Sequence, residues 1–200
     1  AYRGRGDDGF IKTFTVPADG SSIDQVQSLE HNTNYADYNS LIQVDSDTYL
    51  LAYGNVAEVS TFTISSSGSS ISEAATLSHN GGNGAYHNTW AKVDSDTYVL
   101  AYQDPSNGDD GYVKTFTINN SSGAITQVAV NEVDPYYYYG GSIIQVDSDT
   151  YALAYGGDGY DGYIATIGVA SSGIISTPVW ITGDDGFRMM SSPIAGTVYD

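Results

Sequence analysis

Val44-Asp45-Ser46-Asp47-Thr48-Tyr49 recurs unchanged as Val93–Tyr98 and as Val146–Tyr151, and each copy continues through x-Leu-Ala-Tyr to Tyr53, Tyr102 and Tyr155. A recurrence of about 50 residues is the signature of supersecondary units that stack or are arranged radially, each burying the face of its neighbour. Within each copy the polar Asp-Ser-Asp-Thr interrupts two apolar runs, the first being Leu41–Val44, Trp90–Val93 or Ile143–Val146. An Asp carboxylate there can accept backbone amides two residues on and so fix a hairpin. The motif therefore reads as a structural turn that sets strand register.

Working outward, each hairpin is followed by a threonine-rich segment alternating with period two, as expected of a half-buried strand: Phe10–Val16, Val59–Ile64, Tyr112–Ile118 and Tyr163–Val169. Gly, Asn and Ser turns (PADGSS, SSSGSS, NNSSGA, ASSG) lead into a further strand at Ile23–Glu30, Ile71–Ser78, Ile125–Asn131 and Ile174–Thr182. Polar and aromatic connections then reach the next hairpin. No segment carries a 3.6-residue apolar period, so helices should be nearly absent. The expected fold is all-β: a four-bladed β-propeller with four antiparallel strands, A to D, in each blade of about 50 residues.

The spacing supports that count. Thr13, Thr61, Thr115 and Thr166 follow one another at intervals of 48, 54 and 51, and counting on through Asp200 and from Ala1 back to Thr13 gives 47. The blades would be residues 40–78, 89–131, 142–182, and a composite of 192–200 with 1–30. In that last blade Pro193–Tyr199 supplies strand A, and Thr197–Asp200 with Ala1–Tyr2 supplies strand B. An open solenoid or a two-sheet sandwich is the structural alternative. A gap at strand B would instead accept a strand from a neighbouring copy.

The 200 residues suffice for one domain with its own core. With no cysteine, disulfides and thiolate metal sites are excluded. Six Lys and Arg against 24 Asp and Glu give a net charge of −18, which repels nucleic acid and anionic membranes and attracts Ca²⁺ or basic partners. No apolar run is long enough to insert in a membrane as a helix. The composition leans towards a secreted or cell-surface setting.

The pattern GDDG(F/Y)(I/V)KTFT(I/V) followed by (L/I)IQVDSDTYxLAY resembles the tandem repeats of extracellular β-propeller proteins of marine microbes, over essentially the whole chain. That resemblance implies a β-propeller and export from the cell, and it carries over no catalytic residue. The second unit departs from it, reading Gly54-Asn55-Val56-Ala57-Glu58 without the acidic, glycine-rich loop of Gly6–Gly9, Gly108–Gly111 and Gly156–Gly162.

In this strand order the B–C and D–A loops share one end of each blade. That end collects the candidate ligand or interface residues Tyr35, Tyr38, Tyr86, His87, Tyr136, Tyr137, Tyr138 and Tyr139, with Phe187 in the last loop. It also collects Asp7, Asp8, Asp109, Asp110, Asp158 and Asp161. Those carboxylates are either Ca²⁺ ligands, though at no EF-hand spacing, or simply solvated turn residues. His31 and His79 hold the same place in successive units, where a radial arrangement separates rather than gathers them. Arg5-Gly6-Asp7 belongs to a loop that the repeat already explains. Asn119 and Asn120 form two overlapping N-x-S sequons on a C–D turn.

No catalytic residue is assigned. The expected function is a non-enzymatic extracellular structural or adhesive module, self-assembling into a fibre or surface array through its terminal blade. The alternatives are a calcium-assisted glycan-binding lectin and, third, a glycan-cleaving enzyme using Asp37, Asp134 and Asp184 or Asp185.

Overall fold

The computed structural model describes residues 1–177 and 179–180, and its regular elements there are strands apart from two single-turn 3-10 segments, Pro105–Asn107 and Asp158–Tyr160. The strands fall into antiparallel sheets, each ordered as in the sequence. Sheet one holds β1 (Tyr2–Arg3), β2 (Gly9–Thr15) and β3 (Asp24–Asn32). Sheet two holds β4 (Ser40–Gln43), β5 (Thr48–Tyr53), β6 (Glu58–Ile64) and β7 (Ile71–Ser78). Sheet three holds β8 (Tyr86–Lys92), β9 (Thr97–Asp104), β10 (Asp110–Ile118) and β11 (Ile125–Asp134). Sheet four holds β12 (Tyr139–Gln145), β13 (Thr150–Gly156), β14 (Gly162–Gly168) and β15 (Val179–Trp180).

Strand A begins earlier than the sequence pattern suggests, at Tyr86 and Tyr139 instead of Trp90 and Ile143. In β12 a bulge between Tyr139 and Ser142, with Gly140 at φ 61°, lets the chain join the ladder sooner. Tyr86, His87 and Tyr139 consequently sit on strands, not in free loops. The segment Pro193–Tyr199 and the residues Asp184, Asp185 and Phe187, on which the composite blade and part of its loop end rest, lie outside the described residues.

The repeated hairpin is built as its chemistry requires. The Oδ1 atoms of Asp45, Asp94 and Asp147 each accept two amides, from Asp47 and Thr48 (3.1 and 2.9 Å), Asp96 and Thr97 (3.1 and 2.9 Å), and Asp149 and Thr150 (3.2 and 2.8 Å). These hydrogen bonds hold the Asp147 carboxyl below its ordinary pKa; at Asp94 burial opposes them and is outweighed. Across the B–C ladder, Tyr2 faces Phe10, Tyr102 faces Tyr112 and Tyr155 faces Tyr163, with ring centroids 5.7, 5.9 and 5.6 Å apart.

A second recurrent contact joins successive repeats. The strand-C hydroxyls Thr13, Thr61 and Thr115 donate to the carbonyls of Gly68, Gly123 and Gly173, at 2.7, 2.7 and 2.5 Å. Each acceptor glycine is in the C–D turn of the following repeat, at φ 69°, 71° and 79°. The same hydroxyls at Thr13 and Thr115 accept the amides of Gln27 and Ala129, both at 3.1 Å. In sheet one the register slips beside this contact, between Thr13 and Phe14, and the hydroxyl takes up an N–H at the irregularity.

The chain divides into two compact units, Ala1–Asn88 with Ile118–Thr126, and Thr89–Thr117 with the described residues from Gln127 onward. Thr61 holding the turn at Gly123 accounts for the hairpin at 118–126 belonging to the first unit. The first unit closes on Ile11, Ala36, Leu51, Tyr53 and Phe62. The second closes on a cluster that includes Val99, Val113, Tyr138, Leu153, Tyr155 and Ile167. Strand β9 is buried along its whole length, so it is covered on both faces, whereas β3 at the edge of sheet one is exposed at most positions. Among the described residues no helix is long and apolar enough to cross a membrane.

Thr115→Val keeps the side-chain shape but removes a buried donor and acceptor, so it should cost about 2 kcal/mol in urea-monitored unfolding. An unchanged midpoint would show that the contact with Gly173 contributes nothing.

Candidate functional site

In the first unit two D–A segments meet over one glycine. Gly54 follows Tyr53 at the end of β5, and its N–H donates to the Asp37 carbonyl at 2.7 Å. A Cβ at this position would lie 2.9 Å from the Ala85 carbonyl oxygen, 3.0 Å from Tyr38 Cδ2 and 3.2 Å from the Asp37 carbonyl oxygen. The Asn88 side-chain amide ties the segments further, donating to the carbonyls of Tyr38 (3.1 Å) and Ala85 (2.9 Å). Above this join the Tyr38 ring stacks on Tyr86 with centroids 4.7 Å apart and meets His87 at 4.6 Å. The Tyr86 hydroxyl donates to Asn55 Oδ1 at 3.3 Å.

Two members of this aromatic group have unusual backbone. Tyr38 is at φ 51° and His87 at φ 54°. A left-handed conformation is an outlier for a bulky residue such as Tyr and persists only where the surroundings impose it. Gly54 and Asn88 supply that constraint, and Tyr38 remains exposed. Beside it Arg3 donates to Asp37 Oδ2 at 2.7 Å, approaches Asp7 Oδ1 at 3.6 Å and lies 5.0 Å from the centre of the exposed Tyr35 ring. Tyr35, Tyr38, Tyr86 and His87 thus share one loop end, with a guanidinium at its side.

In the second unit the four tyrosines divide. Tyr138 is fully buried, stacks on Tyr155 at 5.2 Å, and has its N–H bonded to the Asp109 carbonyl at 2.9 Å. It is a core residue and not a contact surface, because the space above Gly111 admits its ring and nothing larger than glycine beneath it. Tyr136 and Tyr139 are exposed, and Tyr137 and Tyr139 lie nearly parallel, at 4° and 6.5 Å. Asp134 is buried and its Oδ1 accepts the amides of Tyr136 (2.9 Å) and Tyr137 (3.2 Å).

The acidic loop residues have local roles. Asp7 and Asp109 are both left-handed, at φ 72° and 69°, and their carbonyls accept the amides of Ala36 (3.2 Å) and Tyr138 (2.9 Å). Asp is among the few residues that tolerate this conformation, which gives the first Asp of the loop a backbone reason. Asp7 also faces Arg3. The buried Asp110 accepts from Asn107 at 2.8 Å; burial and the charges of Asp134, Asp104 and Asp109 raise its pKa. Asp8 lies beside the Gly6 turn, its carbonyl accepting the Gly4 amide at 2.7 Å. Asp158 and Asp161 bracket the second 3-10 turn, where the Asp161 carbonyl accepts from Gly157 at 2.9 Å. Among the described residues no three acidic or histidine side chains form a group able to hold a metal ion.

Sequence inspection missed Gly54, Asn88 and Arg3. Only the departure from Gly-Asp-Asp-Gly after Tyr53 signalled that the second unit is special. Asn119 and Asn120 lie exposed on the C–D turn, with Asn119 Oδ1 accepting the Ser121 and Ser122 amides at 3.0 and 3.1 Å.

His31 lies under the first-unit loops, 4.8 Å from Tyr53 and 5.9 Å from Phe62 between ring centres. Burial lowers its pKa to about 4, against an opposing pull from Glu73. The unfolded chain therefore takes up the proton first. Its contribution to stability is complete above the ordinary value of 6.5 and is lost as pH falls towards 4. Urea midpoints should fall over that window and fall less steeply in His31→Phe; equal slopes would remove His31 as the cause. Gly54→Ala, forcing a methyl against two carbonyls and the Tyr38 ring, should cost about 1–3 kcal/mol, read from the same unfolding curves.

No family model and no curated protein matches the chain. Among solved structures, a protein from Lactobacillus plantarum is similar over 82% of this chain at 17% identity, with a TM-score of 0.62. Saccharomyces cerevisiae Sqt1 is similar over 87% of this chain at 14% identity, with a TM-score of 0.55. The Pseudomonas aeruginosa periplasmic gluconolactonase PpgL is similar over 86% at 13% identity and a TM-score of 0.43. The chain spans 49%, 42% and 64% of these three structures, respectively. At such identities the likeness concerns fold alone, and it is to structures of β-propeller type.

Proposed function

We propose that the chain is a non-enzymatic adhesive module of an exported or cell-surface protein, and that Tyr38, Tyr86 and His87 form a platform for neutral glycans. The observation that carries this is the strained, exposed Tyr38, at φ 51° against Tyr86 and His87 and packed closely over Gly54. Strain maintained by the surroundings at an exposed aromatic residue marks a ligand clamp. Aromatic faces pack against the C–H faces of sugar rings, while Asn55, Arg3 and Asp37 border the rings with polar groups for hydroxyls. The net charge of −18 disfavours acidic polysaccharides.

Two features separate this function from its alternatives. Arg3 pairs with Asp37 and approaches Asp7, offsetting part of their charge, which supports a platform that works without a calcium ion. Asp37 and Asp134, the carboxylates with a catalytic geometry in prospect, are engaged by Arg3 and by two backbone amides.

Titration with neutral oligosaccharides chosen from a glycan array tests the proposal. Binding should weaken about tenfold or more in Tyr38→Ala and Tyr86→Ala, the loss expected when a stacking contact worth more than about 1.4 kcal/mol is removed. Binding should persist in EDTA. Loss of binding on chelation would favour a calcium-assisted lectin, and silence across the array would reject glycan recognition.

A further inference from the structure

Beside the loop that carries Tyr38 lies a titratable ring with no bond made. His31, near the end of β3, has both ring nitrogens closed off from solvent and without a hydrogen-bond partner among the described residues. Buried polar atoms are ordinarily paired, so an unpaired imidazole calls for an explanation. Its ring meets Tyr53 and Phe62 edge-on. Its Nε2 and the Ala36 methyl crowd the same backbone, each 2.6 Å from the place where a Gly9 Cβ would stand. Ala36 brings the platform loop, Tyr35–Asn39, against this ring.

That loop is held by separate, single contacts. The Ala36 N–H donates to the Asp7 carbonyl at 3.2 Å, the Gly54 N–H to the Asp37 carbonyl at 2.7 Å and the Asn88 amide to the Tyr38 carbonyl at 3.1 Å. Within it the Asn39 amide donates to the Ala36 carbonyl at 2.6 Å, while Asn39 Oδ1 is closed off and unbonded like the imidazole. Tyr38 at φ 51° is strained for as long as the loop stays down. Tyr53 and Phe62, by contrast, are paired in the ladder of sheet two and yield only if the unit unfolds.

The charged groups around His31 pull in opposite directions. Glu73 on β7 and the Asn39 side chain favour the imidazolium, and the Ala1 amine disfavours it. Glu58 on β6 is engaged by the Tyr53 hydroxyl at 2.6 Å and by Asn32 at 3.3 Å, and Asp7 and Asp37 face Arg3. Burial outweighs the favourable pulls and leaves the pKa at about 4. Lifting the loop returns the ring to water and to its ordinary value of 6.5, so below that value protons favour the lifted loop. A strained element held down over a neutral histidine has the parts of a pH switch.

We propose that protonation of His31 lifts the Tyr35–Asn39 loop and takes Tyr38 off Tyr86 and His87, so that the protein holds neutral glycans at neutral pH and releases them in mild acid. The release rests on the glycan platform proposed above; the loop movement does not.

Amide exchange followed by NMR on the whole chain tests the movement without any ligand. With a pKa of about 4 under the closed loop and 6.5 once it lifts, the opening constant at the Ala36 and Gly54 amides should rise about twentyfold from pH 7 to pH 5, after correction for intrinsic rates. Their protection should lie well below that of Leu50 and Leu51, which are central in the sheet-two ladder and open only with the unit. The rise should vanish in His31→Phe, which keeps a ring against Tyr53 and Phe62. An equal rise in His31→Phe overturns the switch. So does protection at Ala36 and Gly54 that matches Leu50 and Leu51, a comparison that needs no variant. Affinity for an oligosaccharide selected on the array should fall over the same range, by up to the same factor, and hold level in His31→Phe. Affinity unchanged from pH 7 to pH 5 beside a responding loop overturns the regulation. A responding loop in a protein that binds no glycan at any pH rejects the platform and upholds the movement.

Discussion

The structure depends on a hydroxyl reaching a glycine carbonyl one repeat away. Each strand-C threonine is buried or half-buried between its own sheet and the next C–D turn, so its hydroxyl must find partners there. Donating to the glycine at 2.5–2.7 Å satisfies it, and the left-handed glycine brings its carbonyl within reach. The same contact sets the distance at which apolar faces meet, as where Ile11 and Phe62 share one core in the first unit. Hydrophobic burial supplies most of the energy, but it is non-directional. The threonine supplies the register.

That division explains what the sequence revealed and what it concealed. The hairpins at Asp45, Asp94 and Asp147 were legible because they are local: one carboxylate and two amides within three residues. The threonines were legible as a period, though not as a bond, since Thr61 and Gly123 are far apart in sequence and only the folded chain joins them. The start of strand A was misplaced because it depends on a bulge at Tyr139–Ser142 and on His87 in a left-handed conformation, neither of which leaves a compositional trace.

The aromatic residues show the same limit. Four consecutive tyrosines looked like one surface, yet Tyr138 is core and its neighbours are not. Polar loop residues likewise proved to have backbone reasons: Asp7 and Asp109 occupy left-handed positions and present carbonyls to the following loop. Within that acidic set, the Asp7 carboxylate faces Arg3 and the Asp110 carboxylate accepts from Asn107. Arg3 lies between Asp37 and Asp7, so those two carboxylates share one guanidinium.

Strain and satisfaction thus fall at opposite ends of each sheet. At the hairpin and C–D ends, repeated residues meet repeated partners: the carboxylates accept amides and the threonines find carbonyls, so uniformity is favoured. At the loop ends the repeat breaks down, and the break in the second unit, Gly54 in place of an acidic loop, is what allows Tyr38 and the Ala85–Asn88 segment to approach. A repeat architecture can vary only where neighbouring units do not depend on the varied residue for their own packing. The loop end meets that condition, and the exposed rings of Tyr35, Tyr38, Tyr136 and Tyr139 occur there. Recognition is consequently best sought where the repeat departs from itself.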